Sequence, residues 1–290
     1  MKPDLATFEA SRASLLGHAY RMLGDFARAE EIVQDAWLRW QKSKEDATAP
    51  HAYLVTVVTR LCLNELNSGR RRHEEPRGDR LPEPIATRDG GLGRVELLDR
   101  ISMAFLVALQ RLTPTERAVL LLHDVFDFEH AEVARLIGKT VPACRQLLKR
   151  AKENVTSARR TIDTPPEEHR RLLRAFMRAA DAGEAAEIVS MLAEDAVLVI
   201  DGGDADTRFG RTKNLRVPIV GAARIAAFLA ATVPRAPNVE RLEIDLNDEP
   251  AILAVQEGRP RAATLIAVSD GKIQSVFIQA DPARLRHARR

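Results

Sequence analysis

Apolar residues recur at three- and four-residue steps through most of the first 160 positions, the spacing that lays one stripe of a helix against a core. The pattern predicts helices over Phe8–Met22, Ala27–Lys42 and His51–Arg72, separated by Gly24-Asp25 and by the polar stretch from Ser43 to Pro50. From His73 to Arg94 the chain reads HEEPRGDRLPEPIATRDGGLGR, rich in Pro, Gly and charge with no apolar period, which marks a linker. Helical spacing resumes over Val95–Leu112, Thr113–Asp124, Glu129–Ile137 and Val141–Ser157. Thr113-Pro114-Thr115-Glu116 offers a capping box with proline at the first helical position. Gly138 supplies a turn residue and Thr140 a cap for the last of these helices.

After Thr164-Pro165-Pro166 the pattern changes. Two helices, Glu167–Asp181 and Ala185–Leu192, precede strand-like runs at Ala196–Ile200, Arg216–Val220, Leu242–Leu246, Ala251–Gln256, Ala262–Val268 and Ile273–Gln279, with a helix over Ala222–Ala231 among them. Helices followed by strands with Asp-Gly and Gly-Arg turns predict one compact α+β domain with a curved sheet. The expected fold is therefore multidomain: an all-α unit over residues 1–72, a flexible linker over 73–94, an all-α helix-turn-helix unit over 95–160 and an α+β unit over 165–285.

Composition narrows this picture only a little. With 290 residues, 45% hydrophobic and 29% charged, the chain has room for two or three separate cores and no sign of general disorder. No apolar run approaches the roughly 18 residues of a membrane span, and MKPDLATFEASR lacks the apolar stretch of a signal peptide, so a cytoplasmic protein with no membrane partner is expected. Cys62 and Cys144 lie far apart inside helical patterns; core thiols are expected, with no metal site and no cofactor. A net charge of +3 is too small to name a partner, so local charge placement decides.

In the last helix of the second unit, Val141, Cys144, Leu147, Leu148, Ala151 and Val155 fall on one face. Arg145, Gln146, Lys149 and Lys152 fall on the other. A helix of this kind after a helix and a glycine turn is the layout of a helix-turn-helix, whose second helix enters the major groove. Arg and Lys there can read guanine or hold phosphates, and Gln can pair with adenine. A solvated basic face is the plain alternative. A second basic helix end, Arg60 with Arg70, Arg71 and Arg72, lies opposite Leu54, Val57, Val58, Leu61 and Leu66. Two such modules on a flexible linker can span two separated DNA sites. In Ala29–Lys42 the stripe Val33, Trp37 and Trp40 leaves Glu30, Glu31, Gln34, Asp35 and Arg39 largely off it. That half-acidic face repels DNA, so any partner it has is a protein; a core helix with a solvated polar face is the alternative.

These segments resemble the extracytoplasmic-function sigma factors, the small promoter-specificity subunits of bacterial RNA polymerase. AEEIVQDAWLRW is similar to their core-polymerase-binding helix in region two, AYLVTVVTRLCLNELNSGRRR to the helix that melts and reads the −10 element, and ALQRLTPTERAVLLLHDVFDFEHAEVARLIGKTVPACRQLLKRAKENV to region four, which reads the −35 element. The likeness covers about Thr7 to Arg160. The rest resembles the SnoaL-like, NTF2-like cone that a sub-group of these factors carries at its C-terminus. That sub-group is similar also in the linker at Leu81-Pro82-Glu83-Pro84 and in the turn Asp201-Gly202-Gly203. Three departures stand out: Arg80 where the linker motif begins with Trp, Asp204-Ala205 where Gly-Lys is usual, and Asn64 where Asp is common.

The resemblance implies that Glu31, Gln34, Asp35 and Arg39 hold the clamp helices of the polymerase β′ subunit, with the β flap as a further contact. It implies that Arg60, Asn64, Arg70, Arg71 and Arg72 meet −10 DNA, with the loop from Ser43 to Ala49 near a flipped base, and that Arg145, Gln146, Lys149 and Lys152 read the −35 element. Leu81, Pro82, Glu83 and Pro84 with Asp201, Gly202 and Gly203 would join linker and tail, making the tail a regulator. An anti-sigma partner is left open. So is a small apolar ligand in the cone, with Phe176, Phe209 and Phe228 as candidate lining. Cones of this shape elsewhere include isomerases and cyclases, which need a general base and a polar donor in an apolar pocket. Here the tail has no Tyr or Trp and its two histidines, His169 and His287, stand at its outer ends, so catalysis is the lesser alternative. A repressor or activator acting without region two is the other, disfavoured by the Ala29–Lys42 helix.

Overall fold

The structure is a computed structural model that describes residues 4–42, 49–71, 80–86, 102–160, 164–203, 217–233 and 239–288. It divides into two compact units. The first holds α1 (Leu5–Leu23), α2 (Phe26–Lys42), α3 (Pro50–Arg71), most of α4 (Met103–Arg111), α5 (Pro114–Asp124), α6 (His130–Ile137) and α7 (Val141–Arg160) as far as Ser157. The second holds the linker residues 80–86, the first turn of α4, and the chain from residue 164 onward.

Local chemistry sets the helix ends of the first unit. Asp4 accepts from Thr7 N at 2.9 Å to cap α1, and Gly24 closes it in the left-handed region (φ 69°) with its N–H on Tyr20 O. Asp25, the next residue, accepts from Arg28 N at 2.9 Å and starts α2, so Gly-Asp ends one helix and begins another. The expected capping box at Thr113 and Glu116 is present with Pro114 behind it. A second, not anticipated, pairs Glu129 with Glu132 at α6. Leu15, Tyr20, Met22, Phe26, Trp40, Leu54 and Leu120 are buried in the interior, each apolar side chain contributing about 1.5–3 kcal/mol when fully covered.

Within this unit α5 is tied to the end of α1. The Arg117 guanidinium, 3% exposed, donates to Met22 O, to Gln110 Oε1 (2.8 Å) and O (3.1 Å), and to Leu112 O (3.3 Å). Phe126, after α5, meets His18 edge-on with ring centroids 5.0 Å apart and His51 at 5.9 Å. His18 is neutral. Burial first and Arg21 second hold its pKa down to about 3. Because the Thr59 hydroxyl donates to Val55 O, Thr59 Oγ1 accepts from His18 Nε2 at 2.8 Å.

The second unit is α8 (Pro166–Ala182), α9 (Ala185–Met191), β1 (Leu192–Asp201), β2 (Ile219–Val220), α10 (Ala222–Thr232), β3 (Glu240–Leu246), β4 (Glu249–Gln256), β5 (Arg259–Ser269), β6 (Lys272–Gln279) and a final 3-10 turn, Arg286–Ala288. The six strands run in the order β2-β1-β6-β5-β4-β3, antiparallel except for the β1–β6 pair. Leu173, Phe176, Ile188, Leu198, Ile225, Ile266 and Val276 form one core between the helices and the sheet. Arg170 and Arg174 bind Glu243, and Arg170 also binds Asp245, fastening α8 to β3.

Several boundaries differ from expectation, and three of them bear on the architecture. Leu192 opens β1 and does not end α9, because the ladder to β6 begins at Leu192–Ile273 and runs past a register shift to Val197–Ser275. Of the strand expected over Arg216–Val220, residue 216 lies outside the described residues and the ladder holds only Ile219–Val220, since Pro218 has no N–H to give it. α4 begins at Met103; the part of its expected span from residue 95 to 101 lies outside the described residues. Among the described residues no helix is long and apolar enough to cross a membrane.

Candidate functional site

The face of α2 is divided as the pattern requires. Ile32, Val33, Ala36 and Trp40 are buried, while Glu31, Gln34, Asp35 and Arg39 are exposed, with Leu38 beside them at 45%. Trp37 is half-buried against Phe8 (4.8 Å) and Trp40 (5.8 Å). Sequence reasoning missed Arg28. It donates to both carboxylate oxygens of Glu65 on α3, at 3.1 and 2.8 Å, and to Glu31 on its own helix. Arg28 therefore joins a candidate polymerase-binding carboxylate to the residue after Asn64. With about two-fifths of each partner exposed, such pairs are worth up to ~1 kcal/mol, enough to orient side chains and little more.

Arg60 and Asn64 lie four residues apart on α3 and are both exposed on one face. α3 reaches Arg71, but the side chains of Arg70 and Arg71, all of Arg72, and residues 43–48 of the loop named above lie outside the described residues.

The helix-turn-helix forms from α6, Gly138 and α7. Gly138 is left-handed (φ 66°) and its N–H returns to Ala134 O; Cys144, Leu148, Ala151 and Val155 are buried. Arg145, Gln146, Lys149 and Lys152 are exposed on the opposite face. Lys152 differs from the others. Its ammonium lies 2.9 Å from Asp124 at the end of α5, and His123 Nδ1 lies 3.1 Å from the same oxygen. Lys149 stands 4.0 Å from Glu153, a weak contact. His123 stacks on His130 at 4.7 Å, and burial first, with His123, Arg145 and Lys152 nearby, holds His130 below the ordinary histidine range.

In the second unit the linker residues Leu81, Pro82, Glu83, Pro84, Ile85 and Ala86 are all buried. Asp201, 3% exposed, accepts from Leu81 N at 3.0 Å through Oδ2 and from Gly203 N at 3.0 Å through Oδ1. The structure thus brings the Leu81 end of one motif onto the Asp201 turn of the other. Gly203 (φ 76°) lets the turn pass close to Asp281, whose side chain a Cβ there would meet at 2.8 Å. Further holders came from outside both motifs. Leu81 O accepts from Arg284 Nη1 (2.9 Å) and Gln279 Nε2 (3.3 Å). Glu83 meets His287 Nδ1 at 2.6 Å, and His287 O accepts from Ala86 N at 2.9 Å. His287, set aside above for lying at the tail's edge, is one of the linker's main partners. Residues 204 and 205, where the turn motif departs from the resembling sub-group, lie outside the described residues.

A cavity of about 30 Å³ opens among Phe176, Met177, Leu229, Val233, Ile252 and Ile278, with Arg241 and Thr264 as its polar lining. That volume holds a water or two. Phe228 is half-buried against the core and does not line the cavity, and Phe209 lies outside the described residues. Arg241 pairs with Asp181, whose carboxyl is raised by burial against the opposing pull of that arginine. Among the described residues no cluster of His, Cys, Asp and Glu is arranged to hold a metal, and Cys62 and Cys144 are buried free thiols that burial makes harder to ionise.

Residues 7–72 match the sigma-70 region 2 family and residues 102–155 match sigma-70 region 4. The chain is similar to ECF RNA polymerase sigma factor SigJ of Mycobacterium tuberculosis (strain ATCC 25618 / H37Rv), 33% identical over 293 residues that cover 96% of this chain and 92% of the relative. It is also similar to the probable ECF RNA polymerase sigma factor SigI of M. tuberculosis (strain CDC 1551 / Oshkosh), at 29% identity, covering 98% and 95%. The crystal structure of the M. tuberculosis extracytoplasmic function sigma factor SigJ superposes with a TM-score of 0.75 at 30% identity, covering 98% of this chain and 99% of that one.

Proposed function

The chain belongs to the extracytoplasmic-function sigma factors of RNA polymerase, and from that premise we propose how its residues divide promoter-specific initiation. The exposed face of α2, Glu31, Gln34, Asp35 and Arg39, binds the β′ clamp helices of the core enzyme, and region four meets the β flap. Arg60, Asn64 and Arg70 to Arg72 engage the −10 element. Arg145, Gln146 and Lys149 read the −35 element, while Lys152 steadies the recognition helix through Asp124. The factor works beside the polymerase in the cytoplasm. The tail regulates: it grips the linker and biases the chain between a linker-bound and a linker-free state, an equilibrium that a ligand or partner can shift only by preferring one of the two.

The observation that carries the tail's part is the complete burial of Leu81 to Ala86 in a stretch whose composition promised an exposed linker. Six residues that include two prolines bury themselves only where their backbone polar groups find partners, and Asp201, Arg284, His287 and Asn247 supply them. Transcription from the protein's own upstream promoter with bacterial core polymerase tests both parts. The full chain should give a core-dependent transcript, and Asp201→Ala should change its yield at least twofold. No core-dependent transcript would end the assignment of the DNA and polymerase faces; an unchanged yield with Asp201→Ala would end the tail's regulatory role.

A further inference from the structure

The turn between β3 and β4 has no part in either motif that joins tail and linker, yet it holds two other points of the chain. Asn247 and Asp248 both stand in the left-handed region (φ 52° and 62°), the tight hairpin geometry that Asn and Asp tolerate better than other side-chain residues. Asn247, fully buried, donates its N–H to Ile85 O at 2.8 Å and accepts from Ile85 N at 2.9 Å through Oδ1, while Leu246 bridges Ala86. Two residues on, Glu249 Oε2 accepts from Met103 N at 2.8 Å. Met103 is the first residue of α4, and its N–H is one of the four that no helix can satisfy internally. Ser102 Oγ serves Phe105 N at 3.0 Å, so the helix supplies its own cap for the third position, and the tail supplies the acceptor for the first. Ser102 and Met103 are buried at 3% and 0%, where an unmet N–H is costly.

We infer that the β3–β4 turn is a staple with two prongs: Asn247 holds the linker at Ile85 and Ala86, Glu249 holds the first turn of α4, and the Glu249 prong is the releasable one. The asymmetry follows from the bonds. Asn247 makes two bonds to Ile85, one from its backbone N–H to Ile85 O and one from Ile85 N to its amide oxygen, with the Leu246–Ala86 bridge beside them. Among the described residues the half-buried Glu249 makes a single bond, its carboxyl accepting from Met103 N, next to the acidic Asp248. Losing that bond leaves the strand ladder of β4 untouched, because the ladder is built from backbone groups. The start of region four is then freed from the tail while the linker stays gripped, which gives the tail graded control over the chain that connects the two promoter-reading regions.

The staple itself is read by hydrogen–deuterium exchange on the full-length protein, and this measurement stands whether or not the tail regulates transcription. Glu249→Ala should speed exchange of the Met103 to Phe105 amides at least tenfold and leave β5, β6 and Ile85 within twofold of the parent. Glu249→Gln, whose amide oxygen still accepts, should keep the parent rate at about pH 5, where the parent carboxyl is protonated. Asn247→Ala should expose Ile85 without reaching Met103. Unchanged exchange at Met103 in Glu249→Ala, or loosening of β5 and β6 along with it, would overturn the releasable prong, since the contact would then be idle or merely part of the tail's core. The consequence for initiation rests on the regulatory reading above and has its own arm: Glu249→Ala should alter core-dependent transcript yield at least twofold with Glu249→Gln unchanged. Faster exchange with unaltered transcription would sink the regulatory reading and leave the staple standing.

Discussion

Gly24 shows how much a single position decides. It must be left-handed to end α1, and a Cβ there would sit 2.8 Å from Gln110 Nε2, while the Gln110 oxygen accepts from the buried Arg117. Gly24→Ala should lower unfolding stability by about 1–2 kcal/mol from backbone conformation alone, and by more if Gln110 must leave Arg117, as measured by urea denaturation. Glu249 makes the second prediction at this scale. Burial pushes its pKa from 4.5 up to about 8, Asp248 adds to the rise, and the Met103 N–H opposes it. A carboxyl raised on docking binds its proton more tightly docked than free. The contact is therefore at full strength below about pH 4.5, weakens as pH rises from there, and is lost through about pH 8. Exchange at Met103, corrected for its intrinsic pH dependence, should accelerate between pH 6 and pH 9 in the parent and stay flat in Glu249→Gln. Residues of this kind were the least legible in the sequence. The Thr113–Glu116 capping box was readable because its partners are three residues apart. Arg117, Glu249 and His287 look like ordinary surface charges until the fold brings acceptors or donors from 95, 146 and 204 positions away.

At the scale of the element, periodicity was a good guide wherever one face is buried and the other is not. α2 and α7 have that character, so most of their buried and exposed residues could be assigned from spacing alone, though Trp37, Val141 and Leu147 on the expected core stripes are only half-buried. It misled where an element changes type without a break: in Ala185 to Asp201 the chain passes from α9 directly into β1 at Leu192, and no Gly or Pro marks the step. Nor could periodicity rank the cations of α7, which lie on one face but have different neighbours. Lys149 has only a 4.0 Å contact with Glu153, whereas Lys152 is held by Asp124 at 2.9 Å. Lys149→Ala should weaken promoter-fragment binding across sequences and lower the slope of log affinity against log salt by about 1, the signature of a lost phosphate contact. Lys152→Ala should leave the slope nearly unchanged and act through the looser seating of α7 on α5. Equal slope changes in a fluorescence-anisotropy titration would contradict this division.

For the whole molecule, the sequence suggested separate helical modules on either side of a free linker, and the structure distributes the chain differently. Helices from both sides share one unit, joined at Arg117 and Phe126, and the linker residues 80–86 belong to the tail's unit. Composition could not foresee this. Pro, Glu and Arg in a short run read as solvated chain, and only the distant Asp201, Asn247, Arg284 and His287 turn that run into buried structure. Two units with separate cores should unfold as two cooperative blocks. Leu15, fully buried in the first, and Leu173, fully buried in the second, probe them independently. Each Leu→Ala change should cost about 2–5 kcal/mol through lost burial and the cavity left behind. In calorimetry of the full chain, Leu15→Ala should lower one transition and Leu173→Ala the other. Two variants that shift a single common transition would mean that the tail cannot let go of the linker without unfolding the helices. A regulator of the kind proposed here would then have no separate state to occupy.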